Sequence, residues 1–375
     1  MIDIPIDTLK NRVIKQFVDY FDNINRIDDY LRKVKEEKIS KIGINPLFPL
    51  EDDFFDQWDM HPNDMNFSWN IEDNNKVFNN YLAITTSHAI EESIPGKTIR
   101  IIVRETNTNK IVGFIRLGSP LVNSRPRNEW LGAVPNLSLL NRHTIMGFII
   151  VPTQPFGYNY LGGKLLSLLC CSHEVRESIN KKYDGADICC FETTSLYGST
   201  KSSSQYDGLK PYMRFKGLTD SDFLPLLPGP LFRELEKVFK DHMSNDRSVT
   251  LVKKDASSRK LKTQQKMIAI IKSNLKDYPE ELKEFQDSLI KFKSLTEKKR
   301  VYMSDYGFSN SREVLRGDQN VLEKNPINYD KFYFEKMVEW WKNKASNRFD
   351  NLKSEGRLRR ELEIWTKDMD IDIIR

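Results

Sequence analysis

Gly147-Phe-Ile-Ile-Val-Pro-Thr-Gln-Pro-Phe-Gly-Tyr-Asn-Tyr-Leu-Gly-Gly-Lys-Leu-Leu-Ser-Leu-Leu169 is the stretch on which the fold turns. The apolar run Ile145 to Val151 predicts a buried strand. Pro152 ends it, because a proline cannot donate to a central ladder. A loop rich in glycine and aromatic residues follows. A helix is expected from near Gly162 to about Tyr183. Leu165, Leu166, Leu168, Leu169 and Val175 fall mostly on one side of it, and Lys181 and Lys182 suit its negative end. Asp184-Gly185 makes a turn. Ala186 to Phe191 predicts the next strand, ending in Glu192-Thr-Thr-Ser. Strand, glycine loop, helix and strand form a right-handed crossover unit with an anion site at the helix start.

Working outward, Lys97 to Glu105 and Lys110 to Leu117 predict two strands joined by the turn residues Thr106 to Asn109. Lys76 to Glu92 reads as a helix, residues 46 to 75 as irregular, and Arg125 to Trp130 as a loose segment. Leu137 to Asn141 predicts a short helix or turn, and Tyr212 to Lys216 a last strand. Leu9, Val13, Phe17 and Tyr20 give an N-terminal helix one apolar stripe. Leu224 to Pro230 is proline-rich and marks a domain edge. Beyond it the pattern turns helical: Lys260 to Leu275, a helix starting at Pro279, and a long one from Tyr329 to about Thr366 that Gly356 interrupts. The expected partition is therefore 1–75 (helical and irregular), 76–230 (the α/β core) and 231–375 (helical). The fold class is α+β, a mixed sheet with surrounding helices and a helical C-terminal region.

Composition bounds the function. Of 375 residues 39% are hydrophobic and 30% charged, which predicts a soluble protein with a highly charged surface. No apolar stretch approaches the roughly 20 residues that cross a bilayer, so no membrane partner is expected. The start of the sequence carries no signal-peptide pattern, and the expected compartment is the cytoplasm. Cys170-Cys171 and Cys189-Cys190 lack metal-ligand spacing and sit in apolar runs, so they read as buried thiols, and no metal is expected. The net charge of +5 is compatible with a polyanionic partner.

The chemistry is expected around the glycine loop. Gln154, Phe156, Gly157, Tyr158, Asn159, Gly162, Gly163 and Lys164 make a candidate phosphate or diphosphate site, with backbone N–H groups as the cradle. The P-loop pattern is absent, because Leu165 follows Gly163-Lys164. The competing reading is that the glycines serve tight helix–strand packing. Glu192 is a candidate general base, with Tyr197 or Tyr206 as general acid. A structural hydrogen bond is the competing role for Glu192. Arg125, Arg127, Lys201, Lys210 and Arg214 are candidate contacts to nucleic-acid phosphates, against a competing reading as scattered surface cations.

At these residues the chain resembles two families. The coarse pattern resembles a GNAT-type N-acyltransferase, in which a hairpin precedes a strand, a pyrophosphate-binding loop, a helix and a further strand. Gln154 and Gly157 match the first two signature positions of that loop, and Asn159 departs from the glycine or alanine of the third. The finer pattern resembles the DruA-like family of Druantia phage-defence systems. It rests on Val112-Gly113, Arg127-Asn-Glu-Trp130-Leu-Gly132, Asn136-Leu137, Phe148 to Pro152, Leu161-Gly162 with Leu165-Leu166, and Phe191-Glu192-Thr193. It covers roughly residues 97 to 220. A distant likeness to Mom-type DNA modification enzymes accompanies it. The resemblance implies a phage or anti-phage setting, a GNAT-like core, and action on or near DNA. The expected function is a GNAT-like transferase that takes acetyl-CoA or another diphosphate-bearing donor, in the host cytoplasm if phage-encoded. The alternatives are a catalytically silent GNAT-like module that binds DNA or protein, and a phage structural or assembly protein with a partner on its C-terminal helices.

Overall fold

The structure, a computed structural model, describes residues 4–40, 53–89, 96–195, 204–222, 225–242, 251–252, 259–295 and 298–365. The chain divides into two compact units. One joins Met1–Val34 to Asp222–Glu297, and the other joins Lys35–Ser221 to Lys298–Arg375.

In chain order the helices are α1 (Ile6–Thr8), which runs into a π-helical turn Leu9–Ile14, then α2 (Lys15–Asp22), α3 (Ile27–Ser40) and α4 (Asn75–Ile84). Next come α5 (Arg125–Leu131), α6 (Leu137–His143), α7 (Phe156–Tyr160), α8 (Gly162–Cys170) and α9 (His173–Lys182). The last are α10 (Gly229–Asp241), α11 (Arg259–Asn274), α12 (Pro279–Ser294), α13 (Ser311–Arg316) and α14 (Phe334–Ser354). The strands are β1 (Phe67–Ile71), β2 (Thr98–Glu105), β3 (Lys110–Gly118), β4 (Thr144–Pro152), β5 (Cys190–Ser195), β6 (Arg214–Asp222) and β7 (Lys298–Ser304).

The first unit is helical. Its N-terminal stripe is Leu9, Val13, Phe17 and Phe21, all fully buried, and Tyr20 lies only half-buried beside it. Phe21 stacks on Phe292 of α12 with centroids 4.0 Å apart, and Phe17 meets Phe285 edge-on at 5.9 Å. Such pairs add about 0.5–1.5 kcal/mol beyond their buried area.

The second unit holds a seven-stranded mixed sheet in the order β1-β2-β3-β4-β5-β7-β6. β1 to β4 pair antiparallel in turn, β4 and β5 are parallel, and β5 pairs antiparallel with β7. The hairpin β2–β3 forms where its turn residues predict. β3 and β4 are buried along nearly their whole length because both sheet faces are covered. Val112, Ile115 and Leu117 belong to the larger core with α8 and α14, whereas Phe114, Ile111 and Ile149 belong to a second core with Phe78 and Leu82 of α4. On α14, Phe334, Trp341, Ala345, Phe349 and Leu352 are buried as their spacing predicts, whereas Val338 of the same expected stripe is only partly buried and Met337 is buried instead. Trp341 meets Phe67 edge-on, and Phe349 stacks on Tyr160.

Several expectations change. The single helix expected from Gly162 to Tyr183 is two, because Ser172 breaks it and caps α9, its hydroxyl accepting from Val175 N. The strand expected at Ala186–Phe191 starts at Cys190. Residues 186–189 instead bond back to the end of α6, through Asp187 N to Arg142 O and Cys189 N to His143 O. Glu192 therefore sits inside β5, opposite Met146 of β4 and Met303 of β7. The loose segment at 125–130 is α5, with Pro126 in its first turn and Gly132 closing it at φ 75°. Residues 67–71, expected irregular, are β1. α4 ends at Ile84, not near Glu92. The long C-terminal helix ends at Ser354, and a 3-10 turn at Tyr329–Phe332 precedes it. The strand expected at Tyr212–Lys216 runs from Arg214 to Asp222. It is not the last, because β7 lies within the stretch expected to be helical and inserts between β5 and β6.

Candidate functional site

α5 carries Arg127 into the protein, where its guanidinium is fully buried. Nη1 donates to Glu192 Oε1 at 2.8 Å and Nη2 to Val122 O at 2.8 Å. Arg127 Nε and Glu192 Oε2 have no hydrogen-bond partner among the described residues. A cavity of about 150 Å³ opens against Glu192, lined also by Asn123, Ser124, Arg125, Thr194 and Asp220. Burial pushes the Glu192 carboxyl up to about 7, and the attraction of Arg127 pulls the other way without overcoming it. A carboxyl near 7 with one unbonded oxygen, on a residue that lines a cavity, suits proton transfer at neutral pH.

The loop after β4 faces a larger cavity of about 820 Å³, within the size range of small-molecule sites. Gln154, Gly157, Tyr158, Gly163 and Lys164 line it. Phe156, Asn159 and Gly162 of the predicted loop set are buried behind it. Three of the loop amides already have acceptors. Gly157 N donates to Thr153 O, Tyr158 N to Gln154 Oε1, and Asn159 N to Pro155 O. The glycines also pack closely: a Cβ on Gly157 would lie 2.6 Å from Gln154 Nε2 and 2.8 Å from Pro152 Cγ. Leu161, at φ 55°, turns the chain between α7 and α8, and its carbonyl accepts from Trp341 Nε1.

The cations of this cavity come largely from far along the chain. Arg348 and Arg359 lie over the Tyr158 ring, at 4.8 Å and 3.9 Å from its centre. Arg348 Nε donates to Tyr158 O at 2.7 Å. Arg359 also pairs with Glu363 at 3.2 Å. Asn159 holds the C-terminal segment in place, donating from Nδ2 to Arg359 O and accepting at Oδ1 from Arg359 N. Lys164 Nζ donates to the carbonyls of Gln205 and Asp207, and burial lowers its pKa.

The parallel ladder joins only Thr144–Gly147 to Cys190–Thr193. Past it β4 continues without β5, still paired with β3 on its other edge, and Gln205 Nε2 donates to Ile150 O at 3.1 Å. Side chains alternate along β5, so Glu192 and Thr193 leave opposite faces. Tyr206 lies beside Thr193 and Gln205, buried, its hydroxyl pushed up to about 12 by burial. The structure thus brings Glu192 together with Arg127 and sets Tyr206 on the other face of β5. Tyr197 and Lys201 lie outside the described residues.

The predicted cation set is divided as well. Arg125 is exposed and pairs with Glu129 at 2.6 Å and Asp220 at 3.2 Å. Arg127 is in the buried pair. Lys210 and Arg214 are exposed. His143 and His173 are held by backbone carbonyls. His143 Nδ1 lies 2.7 Å from Asp187 O, and His173 Nε2 lies 2.9 Å from Tyr329 O. All four cysteines are free and buried, with their thiols pushed up by burial. Sequence reading missed Arg348 and Arg359. The basic run Arg357-Leu-Arg359-Arg360 was the available signal, but nothing local ties it to Tyr158.

Fold and site together define a mixed α/β protein. It has a buried guanidinium–carboxylate pair on one face of its parallel strand pair and a cation-lined cavity at the loop that leaves β4. Residues 60–199 match the family model of the Druantia protein DruA. Over 159 residues the chain is 24% identical to the Druantia protein DruA of Escherichia coli (strain UMEA 4076-1), covering 39% of this chain and 39% of that protein. The central region is therefore DruA-like, and it includes β1 to β5 and both halves of the Arg127–Glu192 pair. No solved structure matches. No helix among the described residues is long and apolar enough to cross a membrane.

Proposed function

We propose that the chain is a GNAT-like transferase acting in phage–host conflict, with nucleic acid as its acceptor. The observation that carries this reading is the β4–loop–α8–β5 crossover. The parallel ladder stops at Gly147 and Thr193, and the large cavity lies at the loop that leaves β4. A diphosphate-bearing donor such as acetyl-CoA would occupy that cavity. Because three loop amides are bonded within the protein, Lys164, Arg348 and Arg359 would carry its phosphate charge. Glu192, on the opposite face of β5, would take the proton from the acceptor as it bonds the acyl carbon, the acyl C–S bond would break with CoA leaving as its thiolate, and Arg127 would hold the Glu192 carboxylate. The DruA-like region supports the phage-defence setting.

A catalytically silent GNAT-like binding module is the second reading. It is favoured by the internally bonded loop amides and by Asn159, whose amide group is fully engaged by Arg359.

Thermal unfolding with and without CoA and acetyl-CoA tests the transferase reading. A donor at about 100 times its Kd stabilises by roughly 2.7 kcal/mol. The Arg348→Ala/Arg359→Ala variant should need at least tenfold more donor for the same shift. Glu192→Gln should keep donor binding and lose transfer. Equal stabilisation of wild type and the double variant, or none of either, would sink the donor assignment. Donor binding without transfer to any acceptor would favour the silent module.

A further inference from the structure

β6 is the last strand of the sheet order, and Arg214 and Lys216 leave it on the same face. They meet Arg312 of α13 and Trp130 of α5 around a separate cavity of about 130 Å³. Lys216 Nζ stands 4.9 Å and Arg312 Cζ 5.8 Å from the centre of the Trp130 ring. Among the described residues no carboxylate lies within 4.0 Å of any of these three cations. The one acid lining the cavity is Asp305, whose Oδ1 accepts from Gly307 N at 2.9 Å and whose burial raises its pKa. Lys216 is half-buried, and its pKa is lowered by burial first and by Arg214 second. Three cations facing one acid in a partly desolvated cavity repel each other, and an anion would relieve that cost.

We propose that this cavity binds the phosphoryl group of a nucleotide or nucleic-acid strand, with Arg214, Lys216 and Arg312 as its cationic contacts and Trp130 holding two of them in place. Its volume suits one phosphoryl group and leaves a sugar and base outside. Recognition here is therefore of phosphate and carries no base preference. The site shares none of its lining residues with the cavity at the β4 loop and does not depend on the transferase reading.

The test titrates the full chain at low salt with inorganic phosphate, thymidine monophosphate and short oligothymidylate. Wild type is compared with Arg214→Gln/Arg312→Gln, both at exposed positions. Lys210→Gln serves as the control. The double variant should bind at least tenfold more weakly and the control should bind as wild type. Affinity should fall as salt rises and should not change with base composition. Oligonucleotide binding that much exceeds the mononucleotide's identifies a strand as the source, and equal affinities identify a nucleotide. The proposal is overturned if the double variant binds all three probes as wild type does, or if wild type binds none.

Discussion

Two glutamates are buried among the described residues, and the sheet treats them differently. Glu105 ends β2 and accepts five hydrogen bonds, from Asn66 N, Asn107 N and Nδ2, and Thr108 N and Oγ1. Most of these donors belong to its own hairpin turn. Glu192 accepts from one guanidinium, delivered from 65 residues earlier, and keeps one oxygen without a partner. Burial alone does not make a carboxylate reactive. A saturated one is a structural pin, and an under-bonded one facing a cavity is held near its protonation midpoint.

The most direct way to break this comparison is Arg127→Ala. It leaves a buried carboxylate unpaired and should cost about 3–5 kcal/mol in denaturant unfolding. Next comes Glu105→Ala, which strands donors at the β2–β3 turn. It should cost about 3 kcal/mol, with no effect on any chemistry at Glu192. A Glu105 variant that changed that chemistry while staying folded would erase the distinction. Gly157→Ala is smaller. Its Cβ meets Pro152 and Gln154, so about 1–3 kcal/mol should be lost in the same assay. Glu192→Gln should be smallest, about 1 kcal/mol or less, because the amide keeps the acceptor that Arg127 uses.

The pH dependence sharpens the comparison. Glu192 sits near 7 in the folded chain against an ordinary 4.5. Between these values the folded state holds a proton that the unfolded state has lost. Its contribution is complete below about 4.5 and is lost as pH rises through about 7. His173 has the opposite sign. Burial lowers it to about 4 from an ordinary 6.5, so the unfolded state binds the extra proton, and stability from this site is lost as pH falls from about 6.5 to about 4. The two slopes oppose each other across most of that window. Unfolding of Glu192→Gln as a function of pH should show stability rising more steeply from about 4 to 6.5 than in wild type. An unchanged profile would mean that Glu192 is not held near neutrality.

The hairpin, the β4 strand, the start of α8 and the stripe of α14 were legible because each is set by neighbours a few residues apart. Turn residues, apolar runs and three-to-four spacing act locally. The helix break and α5 were missed although each has a local mark, the capping Ser172 for the break and Pro126 with Gly132 for α5. β7 was not legible. A short strand of basic and apolar residues has no local mark that sets it apart inside a helical stretch, and its place comes from pairing with β5, more than a hundred residues earlier, and neighbouring β6, where Lys299 N bonds Thr219 at a separation of 80 residues.

The same division runs through the candidate site. Sequence alone determined the residue types: a carboxylate in an apolar strand, glycines and aromatics before a helix, and scattered arginines. Tertiary structure decided which arginine meets which partner. It buried Arg127 against Glu192, brought Arg348 and Arg359 over Tyr158, and left Arg214 and Arg312 exposed beside Trp130. The physical reason is that a charge's role is fixed by its solvation and its neighbours. Both depend on contacts between residues distant in sequence, which local pattern does not encode.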